Sequence, residues 1–510
     1  MRAERFVRNS LGAVIRQTTG LACNFICRTA FIYTLGMEYL GVSGLFSNVL
    51  AVLSLAELGL GSVLQYSMYK PMAEKDEEKL LALLLLYRKA YRVIACVITG
   101  AGLALIPFLP LLMKEGYSEE ILLYYLLYLI QTVSSYFLVY KQSLLMADQK
   151  IYVTALYQMI VQICKCCIQV MLLLLTRDFL LYLLTDICAV VVKNLLLARK
   201  TDRMYPSLRK KGGGFLPPGE KKSIYRNVYA MFYHRVGLRV VSSTDNIVIA
   251  SRLGLITEAV YDNHFLILNV ATSFLEYILT AAQTEVGNIL AVEDSETVYR
   301  TFRRFYLAGF WLYSFCGVCF AVLLSPFMAL WVGQDATFGW QVTGLLAIQF
   351  FLFGVRRVPV IFKETMGLVW QDRRKPLAEA AINLGVSIWL AGKIGVAGVV
   401  AGTIVSMVST SLWVEPYVLY RDGFHRPVRE FWKLFVSYFL AFAGISGIVL
   451  FLCMCVPAMG WAGLFLRGMT AFVAFQLLTA AVFWHNRQFQ ELYELGKMLA
   501  AVICRKGKKE

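Results

Sequence analysis

Charged residues are scarce in this chain. Asp, Glu, Lys and Arg together make up 16% of its 510 residues, and only four residues are histidine. An ordinary soluble chain carries about 25% charged residues. The shortage of charge, together with 58% hydrophobic residues and a mean hydropathy of +0.61, excludes an ordinary soluble enzyme. Such a composition is typical of an integral membrane protein.

The twelve cysteines do not form the pattern of a disulfide framework. They lie inside apolar runs, where cysteine behaves as a small hydrophobic residue. Cys164, Cys166 and Cys167 have no second cluster of Cys or His at metal-ligand spacing. The sequence therefore predicts structural thiols and no metal site.

A nucleotide-binding pattern is also lacking. Residues 214–223 imitate a phosphate-binding loop, but Glu220 separates Gly219 from the lysine and no strand precedes the segment. We expect no cofactor, and ATP bound within this chain is not expected to drive transport. No cleavable signal peptide is predicted, because the basic residues 1–8 are followed by a long segment without a small-residue cleavage site.

Apolar windows of about 19 residues are the main feature that is present. They predict an all-α polytopic membrane protein with about 14 transmembrane helices, since a bilayer requires roughly 20 apolar residues per helix. The predicted helices lie near residues 10–34, 42–69, 92–113, 121–140, 151–175, 179–198, 227–251, 259–289, 305–331, 338–362, 376–392, 395–419, 433–456 and 462–484.

The net charge of +17 indicates orientation rather than nucleic-acid binding, because the cations cluster between the apolar segments. With the N-terminus inside, the cytoplasmic segments hold 37 of the 50 Lys and Arg residues and the external loops hold four. The positive-inside rule then predicts a multi-pass protein of the cell membrane with both termini in the cytoplasm. The external loops are too short for a catalytic domain, so we predict that the protein is not an enzyme.

The two halves of the chain show an internal repeat when the sequence is aligned with itself. A shift of 218 residues aligns Leu35-Gly36 with Leu253-Gly254 and Arg16 with His234. A slightly larger shift aligns residues 147–150 with 371–374. An even number of helices per repeat makes the two lobes parallel, as in transporters that rock one lobe against the other. The predicted domains are an N-terminal six-helix lobe at 1–199, a basic cytoplasmic linker at 200–226, a C-terminal six-helix lobe at 227–420, an extra helix pair at 421–485 and a cytoplasmic amphipathic tail at 486–510.

Polar and cationic residues form stripes along several predicted helices. A charge at the bilayer centre costs at least about 2.5 kcal/mol on insertion scales, so it needs a partner or a use. The intramembrane arginines outnumber the acids that we place near them, Glu57, Asp186, Asp245 and Glu276. Because guanidinium binds phosphate bidentately, the surplus predicts a cationic cavity for a phosphate-bearing anion. The candidate substrate-binding residues are Arg16, Arg28, Arg235, Arg239, Arg356, Arg357 and Lys165.

The alternative interpretation of these stripes is helix packing and snorkelling, to which we assign Lys193, Lys363 and Arg467 near helix ends. Buried carboxylates have two interpretations as well. A carboxylate whose pKa is raised by burial can carry a proton through a transport cycle, and a carboxylate beside an arginine can form a salt bridge. The ion-coupling candidates are Glu276, Asp245, Glu57 and His234.

Several runs resemble Wzx-type oligosaccharide flippases of the polysaccharide exporter family, within the multidrug/oligosaccharidyl-lipid/polysaccharide exporter (MOP) superfamily. They are residues 28–48, 53–61 and 69–74, with Thr244-Asp245-Asn246 as the matching stretch of the second half. The resemblance implies two lobes around a V-shaped central cavity, and translocation of undecaprenyl-diphosphate-linked repeat units to the outer leaflet of the bacterial cytoplasmic membrane for surface polysaccharide synthesis. Residues 259–265 depart from the pattern, which leaves the roles of Asp262 and His264 open.

Three functions remain in competition. The first is the flippase, with a lipid-linked oligosaccharide, membrane lipids and H⁺ or Na⁺ as partners and with glycosyltransferases or a polymerase as candidate partners of the tail. The second is another transporter of the superfamily, a multidrug or organic-cation antiporter, which predicts an acidic cavity, or a lipid II flippase. The third is a membrane enzyme such as a polysaccharide polymerase or ligase, which requires an external catalytic face.

The predicted topology is testable by cysteine labelling. In a variant without native cysteines, single cysteines at Lys114, Arg177, Arg252 or Lys393 should react with a membrane-impermeant maleimide from outside intact cells, and Lys210→Cys should not. Mass spectrometry of the labelled protein measures the outcome. Labelling at position 210 would reverse the orientation, and a large labelled external domain would restore the enzyme hypothesis.

Overall fold

The computed structural model of the chain is helical in all the parts that it describes, which confirms the predicted all-α class. No strand occurs among those residues. The described residues are 2–54, 60–113, 119–148, 150–206, 216–368, 370–457, 460–494 and 497.

Eighteen α-helices make up the described chain. In the first half they are α1 (Arg2–Leu35), α2 (Met37–Leu53), α3 (Leu60–Glu74), α4 (Glu77–Leu105), α5 (Leu109–Leu112), α6 (Glu119–Tyr136), α7 (Val139–Ala147), α8 (Ile151–Thr176), α9 (Phe179–Met204) and α10 (Pro218–Leu253). In the second half they are α11 (Leu255–Val292), α12 (Ser295–Trp331), α13 (Trp340–Thr365), α14 (Lys375–Ile394), α15 (Val396–Ser406), α16 (Leu412–Val418), α17 (Arg429–Met454) and α18 (Gly460–Phe483).

Within the described residues, nine helices are long and apolar enough to cross a bilayer, and the pair α6 and α7, bent by 40°, would be a tenth span. The chain is therefore a multi-pass membrane protein. The other four predicted spans coincide with α1, α2 and α3 together, α10 and α11. Of these helices, α1 and α10 carry several Arg residues, which lower their hydropathy. The count of fourteen spans stays a prediction.

Positions related by the predicted repeat adopt the same conformation. Gly36 ends α1 with a φ of 89° and Gly254 ends α10 with a φ of 106°, a region that glycine reaches without strain. The carboxylates of Asp148 and Asp372, at the next matched positions, each pair with a lysine of their own half. Asp148 also accepts a hydrogen bond from Tyr205 at 2.5 Å, and burial and this bond raise the pKa of the Tyr205 hydroxyl above its usual range.

The predicted linker at 200–226 is partly helical. The last turns of α9 extend to Met204, and α10 begins at Pro218, a residue that suits the first turn of a helix. Lys79 on α4 pairs with Glu220 in the first turn of α10 at 2.8 Å, which links the two helices. Residues 207–215 of the linker lie outside the described part of the chain.

Contacts divide the chain into a first unit, Met1–Ala259, and a second unit, Val260–Glu510. The first unit contains α10, which the sequence analysis assigned to the second lobe, because α10 packs against α2 and α3. All boundaries of the predicted lobes stay predictions. In the first unit α1 packs along α8, and α9 contacts both α8 and α6. Phe31 contacts Phe179 and Tyr182 edge-on in this core.

The second unit is built on close helix contacts. Lipid tails are as apolar as leucine, so helices in a bilayer associate through packing rather than through burial from water. The aromatic residues Phe302, Tyr306 and Phe310 of α12 are fully buried against one another and against α13 and α17. Helices α14 and α15 meet at Gly398 and Gly402, a small-xxx-small pair that lets two backbones approach.

Two π-helical turns, Met407–Ser411 and Leu419–Phe424, interrupt the helix that continues from α15 through α16. Turns of this kind are rare and often occur at functional sites. Here the first turn places Ser411, which is fully buried, so that its hydroxyl donates to a Glu379 carboxylate oxygen at 2.6 Å.

The contact between α14 and α15 gives a stability prediction. A Cβ added at Gly402 would lie 2.7 Å from the backbone nitrogen of Ser387, whereas a Cβ at Gly385 meets nothing within 4 Å. Gly402→Ala should therefore lower the free energy of unfolding by about 1–3 kcal/mol. Gly385→Ala, on the same helix pair, is the control and should not lower the melting temperature of the purified protein, because its Cβ meets no atom and alanine favours a helix more than glycine does. Equal melting temperatures for the two variants would contradict the close approach.

Candidate functional site

The first unit encloses a polar cavity of about 360 Å³ between α1, α6, α8 and α9, which we call the N-lobe cavity. The polar and cationic stripes of α1 and α8, predicted separately from the sequence, line this one space. Its polar and charged lining residues are Arg16, Gln17 and Asn24 of α1, Gln131 of α6, Gln158, Gln162 and Lys165 of α8, and Asp186 and Lys193 of α9.

Carboxamides supply most of the uncharged polar surface of the N-lobe cavity. Five of its lining residues are Asn or Gln. Gln162 Nε2 donates to Asn24 Oδ1 at 3.2 Å, which links α8 to α1. Each carboxamide offers both a donor and an acceptor, so the lining can form hydrogen bonds with a ligand of many hydroxyl groups.

The charges of the N-lobe cavity do not balance. Lys165 forms an ion pair with Asp186, a largely buried carboxylate. Arg16 and Lys193 have no ion pair with any described carboxylate, and Lys193 lies within electrostatic range of Lys165. With three cations and one acid, the lining has a net charge of +2. Lys193, which the sequence analysis assigned to snorkelling, is thus a member of the cavity that sequence reasoning missed.

The α8 stripe divides between the cavity and helix packing. The sequence places Thr154, Gln158, Gln162, Lys165 and Gln169 in one stripe along this helix. The three middle residues line the cavity, whereas Thr154 and Gln169 at its two ends are buried. The Thr154 hydroxyl donates to a carbonyl of its own helix, and Gln169 Nε2 donates to the Tyr182 carbonyl at 3.3 Å. The stripe therefore combines residues that line the cavity with residues that pack between helices.

Other predicted residues of the first unit lie elsewhere. Arg28 is not among the lining residues, and its guanidinium is within electrostatic range of Tyr128 and Tyr182. Asp245 is 6% exposed and lies in a run of four buried polar residues, 243–246. The side chains of His234, Arg235 and Arg239, and the whole of Glu57, lie outside the described part of the chain. Their roles stay predictions.

In the second unit, Arg356 belongs to a buried ion network. Its Nε and Nη2 donate to Glu415 at 3.0 and 2.9 Å, and its Nη1 donates to Glu379 at 3.2 Å. Lys375 also pairs with Glu415. Two cations and two carboxylates thus neutralise one another inside α13, α14 and α16. This geometry favours a structural role for Arg356 over binding of an external anion.

The other cations of α13 are paired too. Arg357 Nε lies 3.3 Å from an oxygen of Glu276, and Lys363 forms a buried ion pair with Asp372. The surplus of positive charge inferred from the sequence is therefore corrected for α13, because that count omitted Asp372, Glu379 and Glu415. In the N-lobe cavity the described cations outnumber the described acids by two. The sequence contains one sign of the buried ion network: Lys375 and Glu379 are four residues apart, a spacing that places opposite charges on the same face of a helix.

His264 is fully buried in the second unit. Its Nδ1 lies 2.7 Å from the carbonyl oxygen of Val260, and its ring packs against Phe338 at 4.8 Å between centroids. This environment favours a packing role for His264. Asp262, two residues earlier, is partly exposed, and its role stays open.

Solved structures of several transporters are similar to this chain over most of its length. A structure described as lipid II flippase MurJ in an inward closed conformation matches with a TM-score of 0.63 and 14% identity, over 94% of this chain and 99% of that one. An inward-facing multidrug resistance MATE family transporter of the MOP superfamily matches with a TM-score of 0.61 and 14% identity, over 80% of this chain and 98% of that one. A third match is a MOP superfamily transporter from Pyrococcus furiosus, whose binding pocket is described as having reverse polarity. Its TM-score is 0.57 and its identity 13%, over 83% of this chain and 96% of that one.

No protein-family model matches the chain, and neither does any curated protein sequence. The structural matches span nearly all of each transporter chain. This chain therefore has the fold of MOP superfamily transporters, in agreement with the fold that its sequence resemblance implies.

The buried network of Arg356 yields a second stability prediction. Glu415→Gln leaves two buried cations facing a single carboxylate, and breaking a buried pair in this way costs about 3–5 kcal/mol. We expect a large drop in the melting temperature of the purified protein. Glu296→Gln is the matched control, because the Glu296 side chain is 54% exposed in its pair with Arg426. A small effect of Glu415→Gln, similar to that of the control, would mean that the network is hydrated and not structural.

Proposed function

We propose that the protein is a flippase that moves an oligosaccharide linked to undecaprenyl diphosphate across the bacterial cytoplasmic membrane for surface polysaccharide synthesis. The observation that supports this most directly is the unbalanced charge of the N-lobe cavity. Arg16 and Lys193 line it without an ion pair to a described carboxylate, although charges inside a membrane protein normally have partners.

A diphosphate is the ligand that fits these cations best. The guanidinium of Arg16 can donate two parallel hydrogen bonds to phosphate oxygens, and the ammonium of Lys193 adds a compact positive charge. Lys165 lies beside them but shares its charge with Asp186. We propose that Arg16 and Lys193 contact the diphosphate directly and that Lys165 strengthens the local positive field.

The carboxamides suit the oligosaccharide part of the same substrate. Sugar hydroxyls are both donors and acceptors, and so are the side chains of Asn and Gln. The cavity volume of about 360 Å³ is within the range of about 300–1,000 Å³ that ligand sites occupy. A site with several adaptable carboxamides can accept a range of sugars, because it does not require one fixed pattern of hydroxyls.

The main alternative is an organic-cation antiporter with the same fold, since several structural neighbours are multidrug transporters. A cavity with a net charge of +2 disfavours a cationic ligand. A lipid II flippase remains the nearer alternative, because its substrate is also a lipid diphosphate with sugars. The charge of the cavity supports a lipid diphosphate and does not discriminate between these two substrates.

Ion coupling by H⁺ or Na⁺ is part of the proposal. Glu276 is the first candidate for the coupling site, since its side chain is 38% exposed and its carboxylate pairs with Arg357. Asp245, Glu57 and His234 remain further candidates. The amphipathic tail at 486–510 is proposed to lie on the inner leaflet, where glycosyltransferases or a polymerase would dock.

Translocation in proteoliposomes tests the function. Arg16→Gln and Lys193→Gln should each slow movement of a lipid-diphosphate oligosaccharide by about tenfold or more, because a charge-assisted hydrogen bond contributes about 1.5–3 kcal/mol. Lys393→Gln is the matched control, since Lys393 lies at the exposed end of α14. Wild-type rates in both cavity variants, at equal protein levels, would remove the N-lobe cavity from the mechanism.

The same vesicles separate the alternatives. Movement of the lipid under an imposed proton or sodium gradient, lost in Glu276→Gln, would support coupling at Glu276. Movement of an organic cation without movement of the lipid would replace the flippase by the antiporter. Faster movement of lipid II than of a longer lipid-linked oligosaccharide would replace the proposed substrate by lipid II.

A further inference from the structure

The second unit also has a cavity, and none of the residues of the buried ion network lines it. Helices α12, α13 and α17 form an apolar groove of about 220 Å³. Small residues such as Gly317, Gly344 and Ala443 create its floor, because larger side chains at these positions would fill it. Ile348 and Phe439, which also line the groove, are 49% and 42% exposed. Exposed apolar side chains on membrane helices face lipid, so the groove opens toward the bilayer.

The groove continues into a neighbouring cavity of about 360 Å³. Both are lined by Ala321, Trp340 and Leu450, so they form one path. The second cavity adds two polar residues, Ser325 and Arg467. The path therefore has an apolar part and a cationic end, and this distribution complements an amphiphile with an anionic head.

Arg467 is held in place without being neutralised. Its Nε and Nη2 donate to the carbonyl oxygen of Val456 at 3.1 and 2.6 Å, and Nη1 donates to the carbonyl of Val322 at 3.5 Å. No described carboxylate forms an ion pair with it. Three of the five N–H donors of the guanidinium are thus used by the backbone, and two remain for a ligand.

Tryptophans indicate the depth of this site. Trp331 ends α12, Trp340 begins α13 and Trp461 lies in the first turn of α18, and tryptophan is enriched at the headgroup level of membranes. Phe327 contacts both Trp331 and Trp461, so these two residues lie at one level. Arg467 follows Trp461 by six residues, about 9 Å along a helix, and its side chain reaches back toward Val456 at the same end.

From these observations we infer that the path binds a phospholipid of the surrounding bilayer, with its phosphate on Arg467 and one acyl chain in the groove between α12, α13 and α17. The predicted topology places this lipid in the outer leaflet. Charge complementarity selects a phosphate head, and the apolar lining selects a chain rather than sugars. The site uses none of the residues of the N-lobe cavity, so it does not depend on the proposed transport function.

Photolabelling of the full chain in nanodiscs tests the site. The probe is phosphatidylglycerol with a diazirine on one acyl chain, and labelled peptides of α12, α13 and α17 are quantified by mass spectrometry. Arg467→Gln should reduce labelling of the groove by about tenfold, which corresponds to about 1.4 kcal/mol of binding. Arg467→Lys should retain part of it, because it keeps the charge but loses the planar fork. Arg252→Gln, at the exposed end of α10, is the matched control.

Two measurements on the wild-type protein keep the test decisive if Arg467→Gln does not fold. A diacylglycerol probe with the same chain should label the groove about tenfold less than the phospholipid does. Unlabelled phosphatidylglycerol should compete with the probe. Equal labelling by both probes, or full labelling of folded Arg467→Gln, would mean that Arg467 only caps α17. Competition by a lipid-diphosphate oligosaccharide but not by phosphatidylglycerol would overturn the proposal in favour of the transport substrate.

Discussion

An ion inside a membrane protein must have a partner, because the bilayer offers no water to solvate it. Helix α13 of the second unit satisfies this constraint with acids of its own unit. Arg356, Arg357 and Lys363 each pair with an acid from another segment, and these pairs connect α13 to α11, α14, α16 and the turn before α14. Where pairing is complete, the charges hold helices together and nothing remains for a ligand. Function is therefore to be sought where pairing is incomplete.

Two cavities in the described chain meet that condition, and their neutral residues favour different proposed ligands. Around Arg16 and Lys193 the lining is rich in carboxamides, which suits sugars beside a diphosphate. Around Arg467 the lining is almost wholly apolar, which suits a lipid chain beside a phosphate. The cations alone would recognise either ligand. The neutral residues beside them distinguish a polar cargo from a resident lipid.

Helix phase and hydropathy are local properties, so the sequence could predict the all-α class, the spans that are most apolar and the separate polar faces of α1 and α8. Ion pairing depends on tertiary contacts, so the sequence could not predict which cation pairs with which acid. Arg356 and Arg357 carry the same charge on adjacent positions, yet they point to different acids, Glu415 and Glu276. Lys193 had the position of a snorkelling residue, and only the packing of α9 against α8 places it in the cavity.

The π turn at Met407–Ser411 couples the length of this segment to the direction of the side chains that follow it. A π turn inserts one residue that does not advance the helix by the usual rotation of about 100°. The turn precedes Glu415 and so decides which face of the helix carries that carboxylate. Deleting one residue there would restore a regular helix and leave Glu415 facing Arg356, whereas a regular helix of unchanged length would turn Glu415 away by about 100°. A related chain without the π turn would therefore be one residue shorter in this segment, with its acid one position earlier.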